Sequence, residues 1–469
     1  MLKKVSDKLR FIVFFIYTSF VLEFLFLLFR YQRSKFYIFV LAGSLLAYLL
    51  LVSPLTATQL LIFVSQSMPF NLSFTILGKH IRIVETVAMF SVPIWVSLYV
   101  VNPSSSFKRR FKFGFLEFFL IVFVIVFLIN VVRGVQAGYH INEKSRWFRF
   151  DVFRGPVYYV FYFYFLKILK SYKDSVFALV KTWYVSVIVG VLFYFVLSFK
   201  NYASGYTLSF WGFNVQLFSF FGGWLLALWL FDRKSLYFAG FVIWAVLISF
   251  LASRTVIIGG AFMVLFVSFI WLLYFEKHKL RFITNFLMVA LALGVVVLMY
   301  YLFLSNSMEH RVLSIFLKNK QLLHLKYIRY FPSIQARIVE SCNVIYNWKN
   351  GNKWIGAPFG EIISMFAGIN IVDVFYTNLL GKMGIIGLVS FLGFMGSFFR
   401  RAFVVMRDLD VFEQSEIKAF VVMSVAMIPT ALIMAITMNH LWFTPGTILT
   451  IVFSAAVITI LWNQVKENI

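Results

Sequence analysis

The stretch GFLEFFLIVFVIVFLINVVR, from Gly114 to Arg133, decides the fold class, because it is apolar over nearly its whole length. A helix of ~20 such residues matches the ~30 Å hydrocarbon core of a bilayer. Similar runs recur from one end of the 469-residue chain to the other, and 62% of all residues are hydrophobic against 13% charged. The sequence therefore predicts an all-α, polytopic membrane protein with a single membrane domain over residues 1–469.

The apolar runs predict about 14 transmembrane helices, with about 12 as a lower bound. They cover residues 11–29, 36–52, 55–67, 82–101, 114–133, 153–170, 177–198, 213–231, 236–252, 256–275, 282–304, 374–399, 417–438 and 444–462. The first run follows a basic segment but lacks a small-residue cleavage site, which favours a retained helix over a signal peptide. Ser53-Pro54 either joins two short helices or kinks a single long one. The kink would lower the count by one and put the N-terminus outside.

The loops between these runs explain the formal net charge of +25. Most Lys and Arg residues lie in short loops, where the positive-inside rule and anionic lipid account for them. The loops assigned to the cytoplasmic side are 108–112, 167–181, 233–234, 277–281 and 400–407. This assignment orients every span without contradiction and puts both termini inside. The charge therefore gives no reason to expect a nucleic-acid partner.

The same orientation puts residues 305–370 outside, as the largest loop. Apolar and aromatic patches alternate there with polar residues, which predicts short helices on the membrane surface rather than a disordered linker. Arginine makes up a larger share of the basic residues on the predicted outer side than on the inner side. Because any positive charge is enough for orientation, this excess indicates bidentate recognition of phosphate or carboxylate groups.

Cysteine and histidine usage gives no sign of a metal site or a disulfide scaffold. The chain has a single cysteine, Cys342, so that it cannot form an internal disulfide. No pair of Cys or His residues has the spacing of zinc ligands, and we expect neither a metal nor a cofactor.

Two arginines on the predicted outer side are candidates for binding. Arg254 stands between two apolar runs with hardly any loop between them, and it can reach only lipid headgroups or a cavity. A snorkelling interfacial arginine explains this position as well as a functional group does. Arg337 shares one helical face with Glu340 and Ser341, and the alternative to a binding role is an ordinary surface ion pair.

Another outer segment carries Arg149 and Arg154 ahead of a Gly-Pro that opens the next span. A positive anchor at a helix start explains both arginines equally well. Pro156 fits the first turn of that helix.

The segment DVFYTNLLGKMGIIGL begins with an acid, Asp373, and carries the polar pair Tyr376 and Asn378 one turn further on. Aspartate ahead of an apolar run is a preferred N-cap and complements the helix dipole. The same carboxylate could serve as a base at the outer face. A cap whose oxygens accept backbone N–H bonds would be a poor base, because those bonds favour the charged form.

In their order along the chain, these segments resemble the O-antigen polymerase and O-antigen ligase superfamily of bacterial polysaccharide assembly. The resemblance covers about residues 80–400. The matching features are the outer arginines Arg149 and Arg154, a Gly-to-Asn stretch from Gly205 to Asn214, the Ser253-Arg254 turn, Arg337 ahead of a WIGAPFG element from Trp354 to Gly360, and a G-x-x-G helix with Gly384 and Gly387. Their order, their spacing and their predicted side of the membrane all agree with the superfamily.

One position departs from the ligase pattern. Ligases of the superfamily begin the helix after the long loop with a His-Asn pair, whereas Asp373-Val374 stands there in this chain. The resemblance therefore implies a polymerase rather than a ligase, with Asp373 where the family keeps its candidate base.

The resemblance implies a metal-independent glycosyltransferase that polymerises undecaprenyl-diphosphate-linked oligosaccharides into O-antigen, capsule or exopolysaccharide. Transfer would occur on the periplasmic or exterior side of the bacterial cytoplasmic membrane. Arg254 and Arg337 would converge on the lipid diphosphate, with Arg154 as a further candidate, and Asp373 would orient or deprotonate the acceptor hydroxyl. Other expected substrate contacts are Arg149, Arg329, Tyr376, Asn378 and Asn214.

The implied partners are lipid-linked oligosaccharides, membrane lipids, and chain-length regulator and flippase proteins. Three alternatives stay open: a ligase that moves finished glycan to a lipid or protein, a lipid-oligosaccharide flippase or other transporter, and a structural partner of a cell-wall synthase. Transporters often carry internal repeats and midplane polar sites, whereas here the polar residues gather on one predicted face beside one large loop. We expect loop 305–370 to be ordered and to cover a cavity that opens toward the outer leaflet.

Overall fold

The computed structural model of the protein describes residues 54–67, 73–76, 79–82, 113–140, 148, 151–152, 156–171, 175–203, 216–249, 254–275, 332–361, 374–437, 441 and 444–468. These residues are almost entirely helical, in agreement with the expected class. The α-helices are α1 (Pro54–Ser67), α2 (Phe115–Gln136), α3 (Phe161–Ser171), α4 (Ser175–Ala203), α5 (Gln216–Asp232), α6 (Ser235–Ser249), α7 (Arg254–Tyr274), α8 (Pro332–Asn350), α9 (Phe375–Arg407), α10 (Ser415–Thr437) and α11 (Pro445–Asn468). Short 3-10 helices cover Pro156–Val160 and Leu409–Val411.

Five of the described helices are long and apolar enough to cross a membrane. The spans are Phe115–Gln136, Ser175–Leu192, Phe375–Arg407, Ser415–Ile436 and Gly446–Lys466. The described part of the chain therefore fits a helical membrane protein. Helices α10 and α11 are mostly buried, whereas α2 exposes apolar side chains such as Leu128 and Val132 along one face.

The described helices agree in position with the predicted spans, with Arg82 as the exception. Helices α1 to α7 and α9 to α11 each coincide with one predicted span. The spans predicted at 11–29, 36–52, 82–101 and 282–304 lie outside the described residues, apart from Arg82. The total of about 14 spans therefore stays a prediction. Helix α1 begins at Pro54, and residue 53 is not among the described residues. Whether Ser53-Pro54 joins two short helices or kinks a single long one therefore stays open.

A two-stranded hairpin was not predicted from the sequence. Strands β1 (Ser73–Ile76) and β2 (Lys79–Arg82) pair antiparallel, with Ser73 opposite Arg82 and Ile76 opposite Lys79. Arg82, which was expected to begin a membrane span, ends this hairpin instead.

The chain divides into two compact units, and the single membrane domain stays a prediction. The first unit comprises residues 1–113, 158–214 and 449–460. Polar side chains connect its apolar helices: the hydroxyls of Thr58 and Tyr164 are 2.6 Å apart, and Trp183 Nε1 donates to Thr450 Oγ1 at 3.1 Å. Such bonds hold helices together where the surrounding lipid offers no hydrophobic driving force.

The second unit comprises residues 114–157, 215–448 and 461–469, and it contains the candidate site. Within it, α2 and α9 form an antiparallel pair. Arg401, near the end of α9, binds Glu117, near the start of α2, through two hydrogen bonds of 2.7 Å. The rings of Phe123 and Phe391 meet further along the pair. The pairing agrees with the charge pattern, which assigns the start of α2 and the end of α9 to the same side of the membrane.

Candidate functional site

The site is built around a break in helix α9. Gly384 has φ 64° and ψ −166°, a conformation that is essentially restricted to glycine. The helix continues on both sides of it, and the portion after Gly384 is by itself long enough to cross a bilayer. The break therefore lies near the end of α9 that is predicted to be outside.

The loop after α8, residues 351–361, contains the WIGAPFG element and is called the loop below. Its carbonyls accept the N–H groups that the break frees. In an unbroken helix, the N–H groups of Ile385 and Ile386 would donate to carbonyls four residues earlier. Instead, they donate to the carbonyl oxygens of Lys353 and Trp354, both at 3.0 Å. The loop is thus bound to the helix through its backbone.

The carbonyls freed on the other side of the break are satisfied as well. The carbonyl of Gly381 accepts the N–H of Ala357 at 2.8 Å. The carbonyl of Lys382 accepts Asn130 Nδ2 at 2.9 Å, and the same amide nitrogen donates to the Ile355 carbonyl at 2.6 Å. Asn130 lies on α2, and so one side chain links α2, α9 and the loop.

Gly356 allows the loop to approach α9 this closely. Its φ is +74°, and a Cβ added there would lie 2.6 Å from the backbone of Lys382 and Met383. A side chain at this position would force the loop away from the broken helix. Two glycines that are distant in sequence, Gly356 and Gly384, are therefore required by the same contact.

A buried ion pair fixes the other end of the loop. Lys382 Nζ binds Asp151 Oδ2 at 2.7 Å, and both side chains are almost completely buried. Lys382 also donates to the carbonyl of Glu361 at 2.9 Å, and Asp151 accepts the N–H of Gly360 at 3.0 Å. A charge inside an apolar bundle needs such partners. Burial raises the pKa of the Asp151 carboxyl, while the Lys382 ammonium and the Gly360 N–H oppose that rise.

Arg133 lies at the end of α2, beside the loop. Its Nη1 donates to Asn130 Oδ1 at 2.7 Å and to the carbonyl of Gly356 at 2.8 Å. These two bonds fix the guanidinium group. Among the described residues, its other nitrogens, Nε and Nη2, have no hydrogen-bond partner.

A polar cavity of about 460 Å³ opens between the end of α8, the loop and α9. This volume falls within the ~300–1,000 Å³ range of small-ligand sites. Side chains that carry charge, amide or aromatic groups line it, namely Arg133, Asn347, Trp348, Asn350, Asn352 and Glu361. Backbone of Gly356 and Gly381 forms the wall next to the helix break.

A shallow apolar groove of about 430 Å³ runs along the exposed face of α2. Its lining residues are Ile125, Leu128, Ile129, Val132, Arg133 and Gln136. Arg133 lines both the groove and the polar cavity. One arginine therefore borders both an apolar surface and a polar pocket.

The structure places few of the site residues expected from the sequence. Arg337 lies half-buried in α8, within the stretch expected to contain short helices. Ser341, one turn later, faces Thr377 at 3.4 Å, and α8 thus packs on the first turn of α9. Arg254 is the first residue of α7, and its side chain lies outside the description. Asp373, Arg149, Arg154, Arg329 and Asn214 also lie outside the described residues. The convergence of Arg254 and Arg337 therefore stays a prediction.

Tyr376 and Asn378 have contrasting environments. The Tyr376 hydroxyl donates to the carbonyl of Leu432 at 2.7 Å and joins α9 to α10. Asn378 is 1% exposed, and neither polar atom of its amide has a hydrogen-bond partner among the described residues. It lies one turn before Gly381, which lines the cavity. An unsatisfied buried amide is costly, and we expect it to be retained for a reason other than stability.

Sequence reasoning missed Asn130, Arg133, Lys382 and Glu361. Lys382 carried a usable signal, because an ionisable residue inside an apolar run is a functional or structural candidate by default. Arg133 was taken only as the boundary of a span. Asn130 and Glu361 gave no signal, because their importance depends on contacts with residues distant in sequence.

No protein-family model matches the chain, and no curated protein matches it either. The resemblance to the O-antigen polymerase and ligase superfamily therefore rests on the quoted residues.

Proposed function

We propose that the protein is a membrane glycosyltransferase that joins undecaprenyl-diphosphate-linked oligosaccharides into a surface polysaccharide. The observation that carries this proposal is the position of Arg133 between the apolar groove and the polar cavity. A lipid-linked oligosaccharide has the same order of parts: an apolar chain, a charged diphosphate and polar sugars. The groove, the guanidinium and the cavity could each take one of them.

The chemistry of Arg133 suits a diphosphate. Two of its bonds hold it to Asn130 and Gly356, which leaves an edge of the planar guanidinium for a ligand. Arginine binds phosphate oxygens bidentately and keeps its charge at any physiological pH. A site of this kind can stabilise a leaving diphosphate without a metal ion.

The contact between the WIGAPFG element and the G-x-x-G helix also supports the proposal. These two features carried much of the resemblance, and 23 residues, 361–383, separate them. In the structure, the loop of the first satisfies the broken backbone of the second, and the cavity opens beside them. Motif residues that meet beside one cavity are expected where they build a common site.

The remaining roles in the proposal follow from the sequence. Arg254 and Arg337, with Arg154, would bind the diphosphate, and Asp373 would hold the acceptor hydroxyl or accept its proton. The acceptor oxygen would bond to the anomeric carbon as the bond to the lipid diphosphate breaks. A positioned base contributes ~10²–10⁴-fold, and the rest of the rate would come from positioning and charge stabilisation.

The break in α9 is an observation that favours a transporter, because secondary transporters bind their cargo at discontinuous helices. In such proteins, the freed backbone groups coordinate the cargo or ion. Here the freed groups of Gly381, Lys382, Ile385 and Ile386 are bound to the loop and to Asn130. They are not available to a cargo, and we therefore favour the enzyme.

The lipid-linked glycans of cells that lack the protein test the proposed function. A polymerase predicts single repeat units on the acceptor lipid. A ligase predicts long chains that remain on undecaprenyl diphosphate, and a flippase predicts repeats trapped on the inner side. Either of the last two profiles would contradict the proposal.

A substitution in the groove tests the observation that carries it. Leu128→Trp should fill the groove and reduce polymer yield at least tenfold, because the prenyl chain could no longer lie beside Arg133. Phe118→Trp is the matched control, since Phe118 is exposed on the same helix but does not line the groove. Equal polymer yields from both variants, at equal protein levels, would rule out the groove as the lipid path.

A further inference from the structure

We infer that the polar cavity beside Arg133 is a saccharide subsite, in which the Glu361 carboxylate accepts hydrogen bonds from sugar hydroxyls. That the sugar belongs to a lipid-linked glycan rests on the proposed function. The class of ligand rests only on the chemistry of the cavity.

The cavity is lined by a cation and an anion, and their charges attract each other. Arg133 and Glu361 both line it, yet within the described residues there is no ion pair between them. A guanidinium can only donate hydrogen bonds, and an ionised carboxylate can only accept them. A ligand that satisfies both must carry donors and acceptors together, and sugar hydroxyls do. A diphosphate can satisfy Arg133, but it offers no donor to the Glu361 carboxylate, whereas sugar hydroxyls do.

Glu361 is held in place by its backbone, and its carboxylate remains available. Its N–H donates to the carbonyl of Pro358 at 3.1 Å, and its own carbonyl accepts Lys382 Nζ at 2.9 Å. No described residue is hydrogen-bonded to the carboxylate, which is half-buried at the cavity wall. A fixed backbone with a free carboxylate is suited to a ligand contact, because little further ordering is needed on binding.

Trp348 gives the cavity a fixed aromatic side chain. Its Nε1 donates to the carbonyl of Lys353 at 2.9 Å, which restrains the indole. The C–H face of a pyranose packs well on an aromatic ring, while its hydroxyls reach surrounding polar groups. Asn347 and Asn350, from the same end of α8, add amides to the lining. Aromatic, amide and carboxylate groups together match a sugar better than a lipid chain or a diphosphate.

A cysteine placed at the cavity can report occupancy, because the native chain has a single cysteine. We would introduce Asn350→Cys into a Cys342→Ser background and measure its labelling rate with a membrane-impermeant maleimide in nanodiscs. Asn350 is exposed and lines the cavity, and its replacement should leave folding intact. The wild-type protein serves as the control, since Cys342 is exposed but does not line the cavity.

Four probes separate the possible ligands. They are the lipid extract of the producing cells, the oligosaccharides released from it by mild acid, undecaprenyl phosphate without sugar, and inorganic diphosphate. We expect the first two to slow labelling at position 350 severalfold, and the last two to have no effect. Protection by diphosphate or by the bare lipid would overturn the inference, and so would the absence of protection by any probe. Labelling of Cys342 in the wild type should not change.

Glu361→Gln tests the carboxylate itself. Charge-assisted hydrogen bonds are roughly twice as strong as neutral ones, and we expect the oligosaccharides to bind about tenfold more weakly. Glu413→Gln is the control, because Glu413 is exposed and does not line the cavity. A second readout needs no cysteine: the oligosaccharides should raise the thermal unfolding midpoint of the wild type but not of Glu361→Gln. Equal protection and equal stabilisation in both proteins would contradict the inference.

The outcomes also separate this inference from the proposed function. Single repeats in cells that lack the protein, with no protection at position 350, would leave a polymerase whose sugars bind elsewhere. Protection by free oligosaccharides, with an unchanged glycan profile, would leave a saccharide-binding membrane protein that is not a polymerase.

Discussion

The two ends of the α2–α9 pair differ in how they use their charges. At the end with Glu117, the carboxylate binds Arg401 through both oxygens and also accepts the N–H of Gly114 at 3.0 Å. The Arg401 guanidinium lies 4.9 Å from the ring of Trp462. At the other end, α9 is broken, a loop replaces its hydrogen bonds, and a cavity opens. We call the end with Glu117 and Arg401 the closed end of the pair, and the end with the helix break and the cavity the open end.

This difference separates a structural ion pair from a candidate binding site. Each end has a buried pair, Glu117–Arg401 or Asp151–Lys382, and a backbone N–H also donates to each of the two carboxylates. Among the described residues, the open end also has charged side chains, Arg133 and Glu361, that line a cavity. Charge alone thus does not indicate function. A charged side chain that lines a cavity and has donors or acceptors to spare is a better indicator of a binding site.

Breaking the ion pair at the open end should have the largest effect. Lys382→Met leaves the buried Asp151 carboxylate without its ammonium, and we expect the free energy of unfolding to fall by about 3–5 kcal/mol. Thermal or denaturant unfolding in detergent measures this. The double variant Lys382→Met/Asp151→Asn should recover much of the loss, because asparagine is neutral and still accepts the N–H of Gly360. A single variant as stable as the wild type would show that the pair does not hold the loop.

The same variant should depend on pH in a defined direction. Burial raises the pKa of the Asp151 carboxyl, and Lys382→Met removes the charge that opposes this rise. The folded state then binds the proton more tightly than the unfolded state, and the stability of the variant should fall as pH increases. Unfolding midpoints across a pH series check this. A variant that gains stability with rising pH would contradict it.

The next largest effect is expected at the helix break. Gly384→Ala introduces a Cβ that would overlap the Trp354 carbonyl, in a backbone conformation whose strain alone costs on the order of 1–3 kcal/mol. Relief would require the loop to leave α9, and maleimide labelling at position 350 should change. Gly396→Ala is the matched control on the same helix, because a Cβ there meets nothing within 4 Å. It should be neutral or stabilising by up to about 1 kcal/mol. Equal effects from the two substitutions would refute the strained break.

A smaller effect is expected at the closed end. Arg401→Lys keeps the positive charge but cannot make both hydrogen bonds to Glu117, and we expect a loss of about 1–2 kcal/mol. Labelling at position 350 should stay unchanged, since this end has no part in the cavity. The comparison between the two ends would fail if the substitution altered labelling as strongly as Gly384→Ala does.

The smallest effect on stability is expected for Glu361→Gln. The side chain is half-buried and has no hydrogen bond to a described residue, and the free energy of unfolding should change by no more than about 0.5 kcal/mol. Its effect should appear in saccharide binding alone. A large loss of stability would mean that the carboxylate is a structural group, like that of Glu117.

The sequence predicted helices well and contacts poorly. The apolar run from Gly114 to Arg133 predicted α2 to within a few residues, because membrane helices satisfy their backbone locally. The WIGAPFG element was singled out as a motif, and it does form part of the site. Lys382 was quoted in its segment but given no role, since its partner Asp151 is far away in sequence.

The sequence by itself determined the helical membrane class, the positions of ten of the eleven described α-helices and two of the motifs at the site. These features depend on local hydrophobicity, on backbone bonds within a helix and on glycine at special positions. Only the tertiary structure decided that α9 breaks at Gly384, that the loop and Asn130 repair the break, and that Arg133 stands between a groove and a cavity. Those facts depend on hydrogen bonds and packing between different elements, whose residues lie from 24 to 252 positions apart. No local pattern specifies them, because the same side chains would be equally acceptable on a helix without the loop.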